Sequence, residues 1–163
     1  MKRKEPAEMT AVQSRNRALD GDPRRVTASE IALYKTLSNN LQVGVYVIQN
    51  GRLQFVNLHM QDYAGYTEEE MLKMDPLRMV HPADREGVSK NAVNMLRGVR
   101  VSPYEYRLMT KQGEIRWIME MVTPIVFKGE KAVLGSSMDI TEQKEAKETL
   151  RELDALKSSI LDA

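Results

Sequence analysis

The side chains in this chain that could do chemistry are carboxylates, hydroxyls and two histidines, and their spacing argues against catalysis. There is no cysteine, which removes thiolate nucleophiles, thiolate metal sites and disulfides together. His59 and His81 stand well apart, with no phosphate-cradling glycine loop, metal-ligand cluster or nucleophile elbow in the chain. Ser136-Ser137 falls inside a strand-like run with no evident base beside it. No catalytic residue and no metal ligand are assigned, and these residues are expected not to form an enzyme. The chemistry that remains is polar contact at a junction. Asp139-Ile140-Thr141-Glu142 separates short β-like runs with glycine turns from a charged helical stretch, Gln143 to Ala163, free of Gly and Pro. A sheet that runs almost directly into a helix suits a sensor better than a catalyst.

The elements that must position this junction can be read from patterning. With 163 residues, the chain holds one ordinary domain and flanking segments. Net charge is +1, and no basic patch interleaved with aromatics points to nucleic acid. Lys2-Arg3-Lys4 reads as a solvated tail. No apolar run approaches about 18 residues and no signal-peptide core is present, so the segment is expected to be cytoplasmic and to make no membrane contact. Residues 1–26 are polar and broken by Pro6, Gly21 and Pro23, and are expected to be poorly ordered. A short helix over Ala7–Leu19 is the one pattern within them. Thr27-Ala28-Ser29-Glu30 is a capping box, opening a flanking helix over 27–40 with an apolar stripe at Ile31, Tyr34, Leu37 and Leu41.

The domain proper is expected over 41–141. Val43–Ile48 and Leu53–Val56 are strand-like runs joined by Asn50-Gly51, the preferred centre of a type I′ hairpin. Asn57 can cap a short helix ending at Gly65, and Thr67 to Glu70 is a second capping box. Pro82 opens a longer helix carrying Val88, Ala92, Met95 and Val99 on one side. Tyr104–Met109, Ile115–Val122 and Val133–Ile140 follow as three strands, with turns at Lys111–Glu114 and Lys128–Lys131. The fold class is α+β, an antiparallel sheet with helices on one face. The chain carries 11 methionines, which suit a plastic core or an adaptable pocket. Residues 142–163 repeat Ala146, Thr149, Leu153, Leu156, Ile160 and Ala163 at alternating spacings of three and four, a coiled-coil seam. A helix packed back on its own sheet is the plainer alternative. The pattern has no C-cap signal, and the helix is expected to lead into a downstream domain.

The order of these motifs resembles the PAS domain, a sensory module of bacterial signalling proteins. The resemblance rests on Gly44-Val45-Tyr46-Val47, Phe55-Val56-Asn57, Gly65-Tyr66-Thr67 and His81-Pro82-Ala83-Asp84-Arg85, then on Glu105 to Leu108, Gly113 to Ile118 and Asp139-Ile140-Thr141. It implies a five-stranded antiparallel sheet in the order 2-1-5-4-3, with helices cupped around a pocket. Strand alternation alone would turn Ile115, Trp117, Met119 and Met121 towards the pocket. The resemblance implies the reverse, with Trp117 outside under helix 28–40 or a partner chain. Tyr106, Leu108, Ile118, Glu120 and Ser137, with Met79 and Met95, are then the candidate pocket lining. Glu120 stands out because a carboxylate in a partly apolar pocket needs a cation or hydrogen-bond donors. The plainer alternative places it near a strand end, reaching water.

Asp139 and Thr141 are implied to hold the junction, and Leu37, Trp117, Leu153, Leu156 and Ile160 to form a helix seam in a parallel homodimer. The function implied is a sensor, within a two-component or related system, that binds a small ligand or cofactor and relays the signal to an output domain. The alternatives are a ligand-free dimerisation and relay module and, as a minor one, a haem-based gas or redox sensor. The cofactor stays unknown. Cysteine-adduct flavin chemistry is excluded, because Pro76 holds the corresponding position, and haem is disfavoured because His81 reads as a turn residue and His59 lies on a short helix.

Overall fold

A computed structural model of the chain describes residues 24–162. The helix considered over Ala7–Leu19 therefore lies outside the described residues. Strand β1, Arg24–Val26, is followed by helix α1, Ala28–Ser38, and by the hairpin β2, Gly44–Gln49, and β3, Arg52–Val56. Helices α2, Leu58–Ala64, and α3, Glu68–Lys73, lead to two 3-10 turns at Pro76–Met79 and Pro82–Asp84. Helix α4 spans Arg85–Leu96, strands β4, β5 and β6 span Tyr104–Met109, Ile115–Phe127 and Glu130–Asp139, and helix α5 spans Thr141–Leu161. The neighbours run β3-β2-β6-β5-β4, which is the expected 2-1-5-4-3 order for the five core strands.

Local chemistry accounts for these elements. Asn50 and Gly51 turn between β2 and β3 with φ of 53° and 73°, as a type I′ turn requires. Lys128 and Gly129 repeat this at the β5–β6 hairpin with φ of 51° and 77°. Both capping boxes form: Thr27 exchanges bonds with Glu30 at 3.1 Å each way, and Thr67 with Glu70 at 2.9 and 3.2 Å. Asn57 is wholly buried and does more than cap α2. Its Oδ1 accepts from the Met60 and Val45 amides, and its Nδ2 donates to the Val43 carbonyl at 2.8 Å. One side chain thus fixes the first helix to the central hairpin.

Three expectations are corrected. Residues 24–26 are a strand and not part of a polar tail: β1 runs parallel to Ile125–Phe127, which makes the sheet mixed. Val26 supplies the reason, since it is buried with Ile31, Val47, Phe55 and Phe127 in a small second core on the outer face. The last two core strands begin and end further out than Val122 and Val133, meeting at the Lys128-Gly129 turn. Pro124 does not stop β5 because β4 pairs no further than Glu120 and β1 begins at Ile125. The proline sits in the gap between two edge partners, where a missing amide costs little. The α1 stripe is also only partly used: Ile31 is buried, whereas Leu37 and Leu41 are more than half exposed.

The main core lies between the sheet and α2, α3 and α4. Met60, Met71, Met79 and Met95 are buried there beside Val56, Val88, Leu108 and Ile118. Two glycines shape it. Gly135 on β6 pairs with Tyr46 on β2, and a Cβ added at Gly135 would stand 2.0 Å from the Tyr46 ring. The tyrosine therefore lies across β6 in the space a side chain would fill. Gly44 does the same for Tyr63, whose hydroxyl would stand 2.7 Å from an added Cβ. Gly135→Ala is expected to push Tyr46 off the sheet and to destabilise the fold by about 1–3 kcal/mol, read as a lower thermal midpoint. An unchanged midpoint would show that the ring has room to move.

Candidate functional site

Once β5 is aligned with β6, the residues on its inner face are Ile118, Glu120 and Val122, all buried. Trp117 lies on the opposite face, as alternation demands. Its cover is not α1, however: the Lys144 ammonium from α5 lies 4.4 Å above the indole centroid, and the Arg107 guanidinium is 5.9 Å from it. Glu120 does not reach water. It is mid-strand because β5 continues to Phe127, and it is 5% exposed.

Three tyrosines answer that burial. Tyr46 donates to Glu120 Oε1 at 2.6 Å, Tyr106 to the same oxygen at 3.1 Å, and Tyr104 to Oε2 at 2.7 Å. Tyr104 and Tyr106 alternate on one face of β4, opposite Glu120 and Ile118, while Tyr46 arrives from two strands away over Gly135. Burial pushes the Glu120 carboxyl above the ordinary carboxylate range, against the three hydroxyl bonds that favour its anion. Burial likewise raises the three tyrosine hydroxyls, with the nearby Glu120 charge adding to the effect. They remain protonated donors at any ordinary pH.

This cage forms one wall of a cavity of about 430 Å³, inside the roughly 300–1,000 Å³ range of small-molecule sites. Its other walls are almost wholly apolar, with Leu53, Met60, Leu77, Met79, Val88 and Leu108 among them, and Asp75, Pro76 and Ser89 also contribute. Of the sequence-derived candidates, Tyr106, Leu108, Glu120 and Met79 line this space. Ile118, Ser137 and Met95 do not line it. Ile118 is fully enclosed by core side chains. Ser137 is paired with the Tyr63 hydroxyl and donates to the Gly44 carbonyl at 3.4 Å. The Met95 sulfur takes the Val122 amide at 3.1 Å, a group that β4 leaves unpaired beyond Glu120. Tyr46 and Tyr104 were missed from the sequence. The Tyr104/Tyr106 alternation was a usable signal, whereas Tyr46 becomes visible only with the register of β2 on β6.

Neither histidine lines the cavity. His81 accepts the Ala83 amide at Nδ1, 3.2 Å, within a turn, and its own amide donates to the Arg107 carbonyl at 2.8 Å. That turn is fixed to β4 by Arg107, whose Nε and Nη2 reach Asp84 at 2.9 and 2.7 Å. The Arg107 fork holds the Asp84 carboxyl down at about 2. His59 meets Tyr63 edge-on, with ring centroids 6.1 Å apart. The cavity walls therefore do not fit a haem that needs an axial imidazole.

At the junction, Thr141 Oγ1 accepts the Trp117 amide at 2.9 Å and donates to Asp139 Oδ1, which also accepts the Thr141 amide at 2.9 Å. The Ile140 amide closes on the Trp117 carbonyl at 2.8 Å, and Lys144 pairs with Glu105 at 2.6 Å. The start of α5 is thus hung on β5 three residues from Glu120. Beyond Lys144 the helix is exposed along its length, including Leu153, Leu156 and Ile160. It does not pack back on its own sheet.

These features place the chain in a known class. A family model described as the PAS fold matches residues 54–135, and the chain belongs to that family. A PAS domain of a protein from Colwellia psychrerythraea is similar, with a TM-score of 0.59 at 21% identity, covering 69% of this chain and 98% of that one. A sensory box histidine kinase/response regulator from Burkholderia thailandensis E264 has a TM-score of 0.59 at 24% identity, covering 77% and 98%. The PAS domain of an HTR-like protein from Haloarcula marismortui has a TM-score of 0.54 at 22% identity, covering 69% and 93%. No curated protein matches the chain. Among the described residues, no helix is long and apolar enough to cross a membrane.

The cage makes a pH prediction. A carboxyl raised in the fold binds more protons there than when unfolded, so its contribution falls as pH rises from its ordinary value of 4.5 through the raised folded value. Glu120→Gln removes that loss. The variant is expected to gain on the parent as pH climbs from about 4 to 8, measured by denaturant unfolding at each pH. A difference independent of pH would contradict a raised Glu120.

Proposed function

We propose that this chain is the sensory domain of a signal-transduction protein, binding a small molecule in the cavity and relaying its presence through β5 and α5. The observation that carries this reading is the buried Glu120 cage opening on an apolar cavity, on the same strand that supports α5. A fold serving only as a spacer would be more stable with an apolar residue at 120, since burying a carboxylate is costly even when it is hydrogen-bonded. A ligand that moves Glu120 or Tyr104 also moves the strand whose Trp117 amide holds Thr141.

The relay is tested in this chain by hydrogen exchange. A compound that raises the melting temperature, or one retained in native mass spectrometry, is expected to change protection in the first turns of α5. Asp139→Ala should keep the melting shift and lose the change in α5, at a cost of about 1.5–3 kcal/mol for the charge-assisted bonds. An α5 response unchanged by the substitution would reduce Asp139 and Thr141 to a helix start and favour the connector reading.

We also infer that the chain forms a parallel homodimer. Leu153, Leu156 and Ile160 repeat along an uncovered face of α5, while Leu37 and Leu41 border an apolar groove with Val45 and Leu134. Changing Leu153 and Ile160 together to Lys is expected to shift the chain to monomer in sedimentation. A parent that already sediments as a monomer would overturn this inference.

A further inference from the structure

We propose that the ligand of this cavity is a small organic cation, an ammonium on an apolar body, with its charge set against Glu120. The inference rests on the cavity being a ligand site and names the chemical class that site would take.

The charges around the cavity are one-sided. Its lining holds two carboxylates, Glu120 and Asp75, and among the described residues lining it there is no lysine, arginine or histidine. The donors nearest the carboxylate are already committed, because all three tyrosine hydroxyls point to Glu120. An anion at Glu120 would therefore meet like charge without a compensating donor. Apart from the exposed Ser89 on α4, a neutral acceptor would find no hydroxyl proton to take. A donor is better served, since a carboxylate has about four lone-pair directions and the tyrosines use three: two on Oε1, one on Oε2.

Charge then separates a cation from a neutral donor. Three neutral hydroxyls leave the Glu120 charge in an apolar interior without a counter-ion. An ammonium beside Oε2 supplies one where the low dielectric makes the attraction strong. The rings of Tyr46 and Tyr106 line the same space and add aromatic surface of the kind that attracts cations, while the Tyr104 ring already has the Arg100 guanidinium 5.9 Å from its centroid. The remaining aliphatic and thioether walls fit the body of an amine, and the volume leaves room for a ring or a short alkyl chain. Asp75 stands among the lining residues at the start of the Pro76–Met79 turn, with one carboxylate oxygen accepting the Leu77 amide at 3.0 Å.

The test uses matched probes that differ in charge at nearly constant shape: phenethylammonium, 2-phenylethanol and phenylacetate, with hexylammonium, hexanol and hexanoate as the alkyl set. Affinities for the unaltered chain are measured by ligand-detected NMR or calorimetry. The ammonium member of at least one set is expected to bind at least about tenfold more tightly than its alcohol, with the carboxylate weakest. Glu120→Gln should remove that preference, leaving the ammonium and the alcohol of a set within about threefold of each other. The order among the probes on the parent chain stands as a result even if the variant fails to fold. An alcohol or carboxylate that binds as well as the ammonium overturns the cation assignment and leaves a ligand cavity in place. No binding by any of the six overturns the assignment and counts against the ligand-site reading as well.

Discussion

A carboxylate taken out of water must be given donors or give up its charge, and the interior of this domain is arranged around that constraint at Glu120. The three hydroxyls that meet it come from β2 and β4, strands on opposite sides of β5 and not adjacent to each other. Each is in place only if the sheet is in register. Tyr104 and Tyr106 need β4 to pair with β5 so that Tyr104 faces Glu120. Tyr46 needs β2 to pair with β6 so that its ring passes over the one residue there without a side chain. The polar cage and the backbone ladder therefore specify each other. A slip of one residue would turn Glu120 to the other face of the sheet.

The same dependence explains why β5 is the strand on which the domain is organised. It carries the cage on its inner face and Trp117 on its outer face, pairs with β6 along one edge, and shares the other edge between β4 and β1. Its backbone at Trp117 receives both Ile140 and Thr141, so the last strand and the last helix are referred to one residue. Lys144 then packs on the Trp117 ring and pairs with Glu105, which fixes the direction in which α5 leaves. Interior and exit lie within four residues of one extended chain.

Much of this was legible in the sequence because it is local. The hairpin at Asn50-Gly51, the two capping boxes and the Asn57 cap of α2 each depend on residues a few positions apart, and each forms. The core strand order followed from resemblance, and so did the choice of inner face, against the more apolar set at 115, 117, 119 and 121. What stayed hidden was non-local. Tyr46 and Glu120 are 74 positions apart, and nothing near either announces the other. Arg24-Arg25-Val26 reads as polar because Val26 is its one apolar residue, and a parallel pairing with a strand a hundred residues later leaves no local trace. Met95 fits the stripe of α4, yet its sulfur is drawn to an amide left open where β4 ends.

The ring of Tyr46 lying over Gly135 also constrains how this sequence can drift. An alanine at 135 has nowhere to put its methyl while the tyrosine is present, and a small residue at 46 leaves a hole while the glycine is present. Substitutions at the two sites are thus ordered: position 46 has to shrink before position 135 can grow, and the intermediate has a hole over Gly135 and one hydroxyl fewer around Glu120. The matched family region, residues 54–135, contains the glycine but not the tyrosine. Two lineages could agree across that whole stretch and still differ in what they accommodate, because one decisive ring is encoded upstream of it.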